Sequence, residues 1–381
     1  MSSRLAQTDL VEQVIYIERP LPITSFLKFL VGRSDRDGTD RWKRVLSNRS
    51  WLMPVKDKLT VLTTIAPLPQ VGATSLFKMS EEIRDRWLLF KLNELKKKYK
   101  IDRPLVWVSH PQLSERVIQA LNPCLLWYDC TEDFAAWPGL PDCVRVQIKA
   151  TDCWLSKHAD VVTAVSRMLY EEKRNINPNT HWLPNAVDTD LFLQPRETYP
   201  IPPELRNRTH PILAFVGGLS EWAHDWELLD KVVALRPDWT ILLIGPIIVS
   251  AETQRMLAGH SNVLCVGQKS YQDLPAYLIH SDVCFQFYRV ERGNDTRNGQ
   301  KLFLYFAVGK PVVSTPSADV EEYRNLVEIA GTAQTFVSCV ERVVVNRSPE
   351  VVRSRHEMAR KNSWQVRIGQ IRQILIDANA R

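Results

Sequence analysis

NDTRNGQKLFLYFAVGKPVVSTP, residues Asn294–Pro316, decides the fold. Arg297, Asn298 and Lys301 bring donors and positive charge to the start of a helix. Leu302 to Val308 then run apolar on every side, as a buried helix does. Gly309-Lys310-Pro311 stops it, glycine supplying a left-handed turn and proline forbidding continuation. Val312-Val313 opens a short buried strand that ends in Ser314-Thr315. Arg297 and Lys301 are four apart and share a helix face. A helix start attracts anions through its free N–H groups and its dipole. Two cations there make a diphosphate the natural ligand. A core helix with solvated basic ends accounts for the same spacing.

Outward from this stretch, apolar β-branched runs alternate with helical segments. The second half holds Ile212–Val216, Thr240–Ile244, Val263–Val266, Val283–Phe287, Val312–Ser314 and Val327–Ile329. The first half holds Val14–Ile17, Leu59–Ile65, Leu105–Ser109, Leu125–Tyr128, Val161–Val165 and His181–Leu183. Short buried strands separated by helices predict parallel sheets covered on both faces. Two such sets predict an α/β chain of two Rossmann-like, doubly wound domains, 1–200 and 205–361. The five-proline stretch Gln194–His210 is the expected boundary. The final stretch, 362–381, reads as one helix with Trp364, Ile368, Ile371 and Leu375 on one face, ready to pack back on the first domain. A helix-like Ser2–Glu12 stands where an α/β domain normally has its first strand, so that strand is missing or replaced.

The chain has 381 residues, 45% hydrophobic and 24% charged, with net charge +6. That balance suits a globular protein of two domains and hints at anionic partners without demanding nucleic acid. No recognition element carries a basic stripe, which argues against DNA binding. Seven cysteines lack a CxxC pair or metal-ligand spacing, so a reduced, cytoplasmic compartment is expected, with no metal and no cofactor. No apolar run reaches 18 residues, and the N-terminus lacks the apolar core of a signal peptide. Residues 20–58 mix Arg and Lys with Trp, Phe and Leu. Peripheral contact with an anionic membrane is one reading of them, and an ordinary helical insertion is the other.

Ligands of open parallel sheets bind beyond the carboxyl ends of strands. Strand Ile212–Val216 exits into Gly217-Gly218, where the backbone can approach a phosphate. Gly245-Pro246 and Gly267-Gln268 repeat that exit. The dinucleotide fingerprint is absent, which argues against a nicotinamide-dependent enzyme. In the first half, His110, Asp129, Glu132 and Asp133 are expected just past strand ends. An Asp or His there can take a proton from an attacking hydroxyl. Helix capping by Asp129 or Thr131 is the competing reading.

Several segments resemble the GT-B glycosyltransferases, in their bacterial group 1, family 4-like branch. They are HWLPNAVDTDLF (His181–Phe192), FVGGLSEWAHDWELL (Phe215–Leu229), VGQKSYQDLPAYLIHSDVCFQFY (Val266–Tyr288), NGQKLFLYFAVGKPVVSTP from Asn298 and NSWQVRIGQIRQIL (Asn362–Leu375). The resemblance covers residues 105–381 well and the first hundred loosely. It implies two Rossmann-like domains facing across a cleft, the second holding a nucleotide-diphosphate sugar. The reaction implied is metal-independent sugar transfer to a saccharide or lipid-linked acceptor in glycan biosynthesis. Gly217 and Gly218 would then approach the diphosphate, Gly267 and Gln268 lie near the base, and Asn298 and Lys301 meet the phosphates. Asp129 falls near a position where a family His often lines the sugar site, and it is the candidate base if the reaction inverts. If the reaction retains, no protein nucleophile is evident. Many members carry two Glu where this chain has Thr296 and Leu304. That departure, with the unusual start, leaves open a non-catalytic homologue that binds nucleotide sugar or glycan as an assembly partner.

Overall fold

The computed structural model describes residues 1–32, 36–48, 50–66, 74–111, 113–290, 299–346 and 348–379. Its strands in chain order are β1 (Val14–Ile17), β2 (Leu21–Pro22), β3 (Leu52–Lys56), β4 (Leu59–Leu62), β5 (Ile65–Ala66), β6 (Leu105–Val108), β7 (Leu125–Cys130), β8 (Val161–Ala164) and β9 (Thr180–Trp182). The second half adds β10 (Ile212–Val216), β11 (Leu219–Ser220), β12 (Thr240–Ile244), β13 (Ile247–Ile248), β14 (Val263–Gly267), β15 (Val283–Gln286), β16 (Val312–Ser314) and β17 (Val327–Ile329).

The second half is built on a six-stranded sheet in the order β14-β12-β10-β15-β16-β17, with β11 and β13 paired apart from it; the six strands are parallel throughout. Alternate residues of β10 face opposite layers. Ile212, Ala214 and Val216 join one core with Leu302 to Val308, while Leu213 and Phe215 join the other with Trp226, Phe287 and Phe336. Burial on both faces is why these strands read as unbroken apolar runs.

The first half departs from one continuous sheet. β6-β7-β8-β9 form a parallel sheet of four strands. Residues before them build a separate sheet, β1-β4-β3, in which β3 runs antiparallel to β4. The expected helix over Ser2–Glu12 is only Ser2–Leu5. Thr8 Oγ1 donates to the Leu5 carbonyl at 2.7 Å and offers the chain a turn instead. The strand β1 that follows opens this small sheet, whose Leu62 is buried in the core of the four-stranded sheet.

Residues 20–58 are partly helical: helices Ile23–Leu30 and Arg36–Asn48 precede β3. Their aromatic side chains anchor them. Phe26 packs on Trp42 with centroids 4.7 Å apart, Trp42 on Trp51 at 6.1 Å, and Trp51 on Trp87 of helix Thr74–Tyr99 at 6.0 Å. Arg41 and Arg44 both pair with Glu18. The outer side is apolar and uncovered, with Leu27 and Leu30 each 62% exposed.

The chain passes between the halves twice, at one place. After β9, Val187, Phe192 and Leu205 already pack in the second half's core, ahead of and within the proline-rich stretch expected to divide the domains. Helix Trp364–Asn379 returns to place Ile371 and Ile374 against Leu125, Trp127, Val161 and Leu183. The two passages are bonded together. Val187 N–H donates to the Asn362 carbonyl at 2.9 Å, and Trp364 N–H to the Val187 carbonyl at 3.2 Å. Arg367, 2% exposed, donates to the Asn185 carbonyl and to Asn362 Oδ1.

Candidate active site

Three glycine exits lie side by side at the carboxyl edge of the second sheet. Gly217 N–H donates to the Ile244 carbonyl at 2.8 Å, and Gly245 N–H donates to the Gly267 carbonyl at 2.9 Å. Gly217 and Gly245 have φ of +138° and +144°. A Cβ on Gly245 would stand 2.0 Å from the Gly217 carbonyl oxygen, so the two backbones touch. Gly218 has more room, its nearest neighbour being Pro246 Cγ at 3.9 Å from such a Cβ. Gly267 opens on space, and Gln268 beyond it is exposed.

Lys301 lies on this edge. A Cβ on Gly217 would meet its Cε at 2.2 Å and Nζ at 3.0 Å. The ammonium donates to Tyr288 Oη at 2.5 Å and sits 5.6 Å from the Phe215 ring centroid. His224, buried beneath, packs on Tyr288 with centroids 5.0 Å apart. A cation is thus held against a glycine backbone by aromatic neighbours, and no carboxylate bonds to its Nζ among the described residues.

The helix carrying Lys301, Gln300–Ala307, starts at Gly299, whose N–H donates to Asp319 Oδ2 at 2.7 Å. Ser317 donates to the other oxygen at 2.8 Å. Burial raises the Asp319 pKa, opposed by those two bonds. The helix start expected to await an anion therefore already holds one on its first N–H. Gln300 Nε2 donates to the Ala186 carbonyl at 3.1 Å and ties this helix to the passage between the halves. Leu304, where the resemblance implies a Glu, is buried in the core and offers nothing to a ribose. Arg297, Asn298 and Thr296 lie outside the described residues.

In the first half, His110 follows β6 as expected, its ring tilted against Phe134 with centroids 4.1 Å apart. Burial, with Arg19 adding to it, pushes its pKa down to about 4, so it is neutral at pH 7. Its Nδ1 is buried without a hydrogen-bond partner among the described residues. Asp129 corrects the expectation. It lies inside β7 rather than past its end, paired with Thr163 of β8. Thr163 Oγ1 donates to Oδ1 at 2.8 Å and the Trp107 indole to Oδ2 at 3.2 Å. It caps no helix, and Thr131 donates to the Ser109 carbonyl instead. Side-chain alternation puts Asp129 on the same face as Trp127, which packs with Ile371 and Ile374. Both its oxygens are committed and burial raises its pKa, which fits a structural carboxyl.

Glu132 and Asp133 do lie past β7. They line a cavity of about 190 Å³ with Phe134, Lys149, Asp152 and Lys173. Lys173, 6% exposed, donates to both oxygens of Asp152 at 2.6 and 2.5 Å, and the Tyr128 hydroxyl donates to the same carboxylate. The Cys130 thiol on the wall is pushed up to about 12 by burial and is unreactive as a thiolate.

Tyr288 and Asp319 were not foreseen as site residues. Tyr288 ends a quoted motif and was legible from it. Asp319 had no local signal, since only the fold returns it to the helix start.

Two parallel-sheet halves joined by a crossing helix, with a cationic glycine edge, define the GT-B class. Residues 210–346 match the family model for glycosyl transferases group 1. Over 259 residues the chain is 26% identical to TuaH of Bacillus subtilis (strain 168), a glycosyltransferase assigned to teichuronic acid biosynthesis. The match spans 64% of this chain and 65% of that relative's length. Among solved structures, HepE of Anabaena in complex with UDP-glucose superposes with TM-score 0.62 at 14% identity, covering 97% of this chain and 100% of the other. Sucrose-phosphate synthase of Thermosynechococcus elongatus gives TM-score 0.65 at 14% identity, with coverage of 97% and 100%. These structures establish the shared fold.

Proposed function

We propose that the protein transfers a sugar from a nucleotide-diphosphate donor to a saccharide or lipid-linked acceptor during glycan biosynthesis. The observation that carries this is the Lys301 ammonium lying over Gly217. The leaving diphosphate gains negative charge as the glycosidic bond breaks. A fixed cation beside exposed backbone at a strand exit stabilises that charge most when it is fully developed. Gly217, Gly218 and Gly245 admit the diphosphate, and Gly267 and Gln268 flank space for the base. HepE was solved with UDP-glucose, which supports a uridine-type donor for this reading. Lys301 supplies the charge that a metal supplies elsewhere, so the proposal includes metal independence, tested by activity in excess chelator.

The acceptor enters on the other half, beside the cavity of Glu132, Asp133 and Phe134. An aromatic face next to carboxylates suits a sugar ring with its hydroxyls. In this reading His110, neutral at pH 7, accepts a proton from the attacking hydroxyl. The uncovered leucines of helix Ile23–Leu30, with Lys28 among them, suit peripheral contact with an anionic bilayer, which would bring a lipid-linked acceptor to the cytoplasmic face. No helix among the described residues is long and apolar enough to cross a membrane.

The deciding experiment supplies candidate nucleotide sugars and glycan acceptors to the purified chain and to His110→Gln. Transfer by the wild type with at least a hundredfold loss in the variant supports the assignment. Transfer at wild-type rate by the variant removes His110 from the chemistry.

A further inference from the structure

The opposite edge of the second sheet holds a larger cavity that the proposed transfer does not use. Asp282, Pro311 and Leu326, which line it, immediately precede β15, β16 and β17. Because the sheet is parallel throughout, this edge faces away from Gly217, Gly245 and Gly267, about 15 Å along the strands. The cavity measures about 420 Å³, within the range of small-molecule sites.

Its lining is cationic. Lys310, Arg324, Arg342 and Arg355 face two carboxylates, Asp282 and Glu328. Both acids are engaged: Asp282 accepts from the Ile212 N–H at 2.8 Å and contacts His210, while Glu328 accepts from Arg342 at 2.6 Å. Arg355 is the telling residue. It is 8% exposed, and it donates from Nε and Nη2 to the Leu326 carbonyl, at 3.2 and 3.0 Å. Among the described residues no carboxylate forms a salt bridge with it. A buried guanidinium bonded to a carbonyl rather than to a carboxylate carries a large desolvation cost that a planar anion relieves.

The walls are built to keep the space. Gly309 has φ +69°, and a Cβ there would stand 2.7 Å from His356 Nε2 and 3.1 Å from Val352 Cγ1. The turn Gly309-Lys310-Pro311 is therefore pressed against helix Pro349–Lys361. That helix begins at the cavity. Ser348 lines the space, and among the described residues its side chain makes no capping bond to the first turn.

We propose that this rear cavity is a second anion site that takes a small phosphate-bearing ligand, a phosphate monoester or a diphosphate, away from the transfer crevice. Arg355 fixes the anion at depth. Lys310 closes on it from the mouth together with Arg324 and Arg342, which exchange their pairs with Glu321 and Glu328 for it.

The test uses the full chain carrying Lys301→Ala, which removes the described cation of the crevice. Calorimetric titration with inorganic pyrophosphate at low ionic strength should still show binding. Adding Arg324→Gln and Arg342→Gln, both at exposed positions, should weaken it at least tenfold. On the wild-type background the same pair should leave nucleoside diphosphate affinity unchanged. Glucose 1-phosphate binding lost through the same pair would also support the site and name a monoester. Absence of binding by the Lys301→Ala chain to either probe, or equal affinity with and without the Arg pair, overturns it. Failure of the crevice reading shows separately, as unchanged nucleoside diphosphate affinity in Lys301→Ala alone.

Discussion

Lys301 can rest where it does because residue 217 has no side chain. Lys301→Ala should weaken nucleoside diphosphate binding by about 1–3 kcal/mol, as expected for a lost charged hydrogen bond. Gly217→Ala places a methyl where the lysine stem lies, on backbone at a φ that alanine rarely adopts, and should weaken binding at least as much. Titration calorimetry checks both, and wild-type affinity in either variant would remove the residue from the donor site. His110 makes a prediction about pH. Its folded pKa, about 4, lies below the unfolded value near 6.5. The unfolded chain therefore binds a proton that the native one refuses, and stability falls as pH drops from about 6.5 to 4. Urea midpoints across that range should decline less steeply in His110→Gln than in the wild type. Glycines at strand exits and a lysine at a helix start were legible because each is a local pattern. Asp129 was misplaced because the polar run after Tyr128 looks like a loop. Thr163 and Trp107, distant in sequence, satisfy its carboxyl and let the strand continue through it.

At the level of the element, the apolar strands of the second half were readable because burial on both faces leaves an unmixed signal. β3 was not. It is an edge strand in a basic, aromatic stretch, and it contains Pro54, which an edge tolerates. The returning helix was readable from its apolar stripe, and its partners were not. Ile371, fully buried against Trp127 and Leu183, makes a direct test. Ile371→Ala should cost about 2–5 kcal/mol in denaturant unfolding. A change below 0.5 kcal/mol, on the order expected of a surface site, would mean the helix does not cover the first sheet.

For the whole molecule, the uncovered face of helix Ile23–Leu30 sets the question of location. Leu27→Ser with Leu30→Ser should reduce co-sedimentation with anionic phospholipid vesicles severalfold, while leaving nucleoside diphosphate affinity and melting temperature near wild type. Equal sedimentation of variant and wild type would leave the face without a bilayer role.

The paired passages at Asn185–Val187 and Asn362–Arg367 have a mechanical consequence. Halves tied where these two passages meet can swing about that point more readily than they can slide past each other. Gln300 hangs from that point at the head of the helix that carries Lys301. Any swing that narrows the gap must therefore turn around a point beside Lys301, which moves the far rim most and the proposed diphosphate site least.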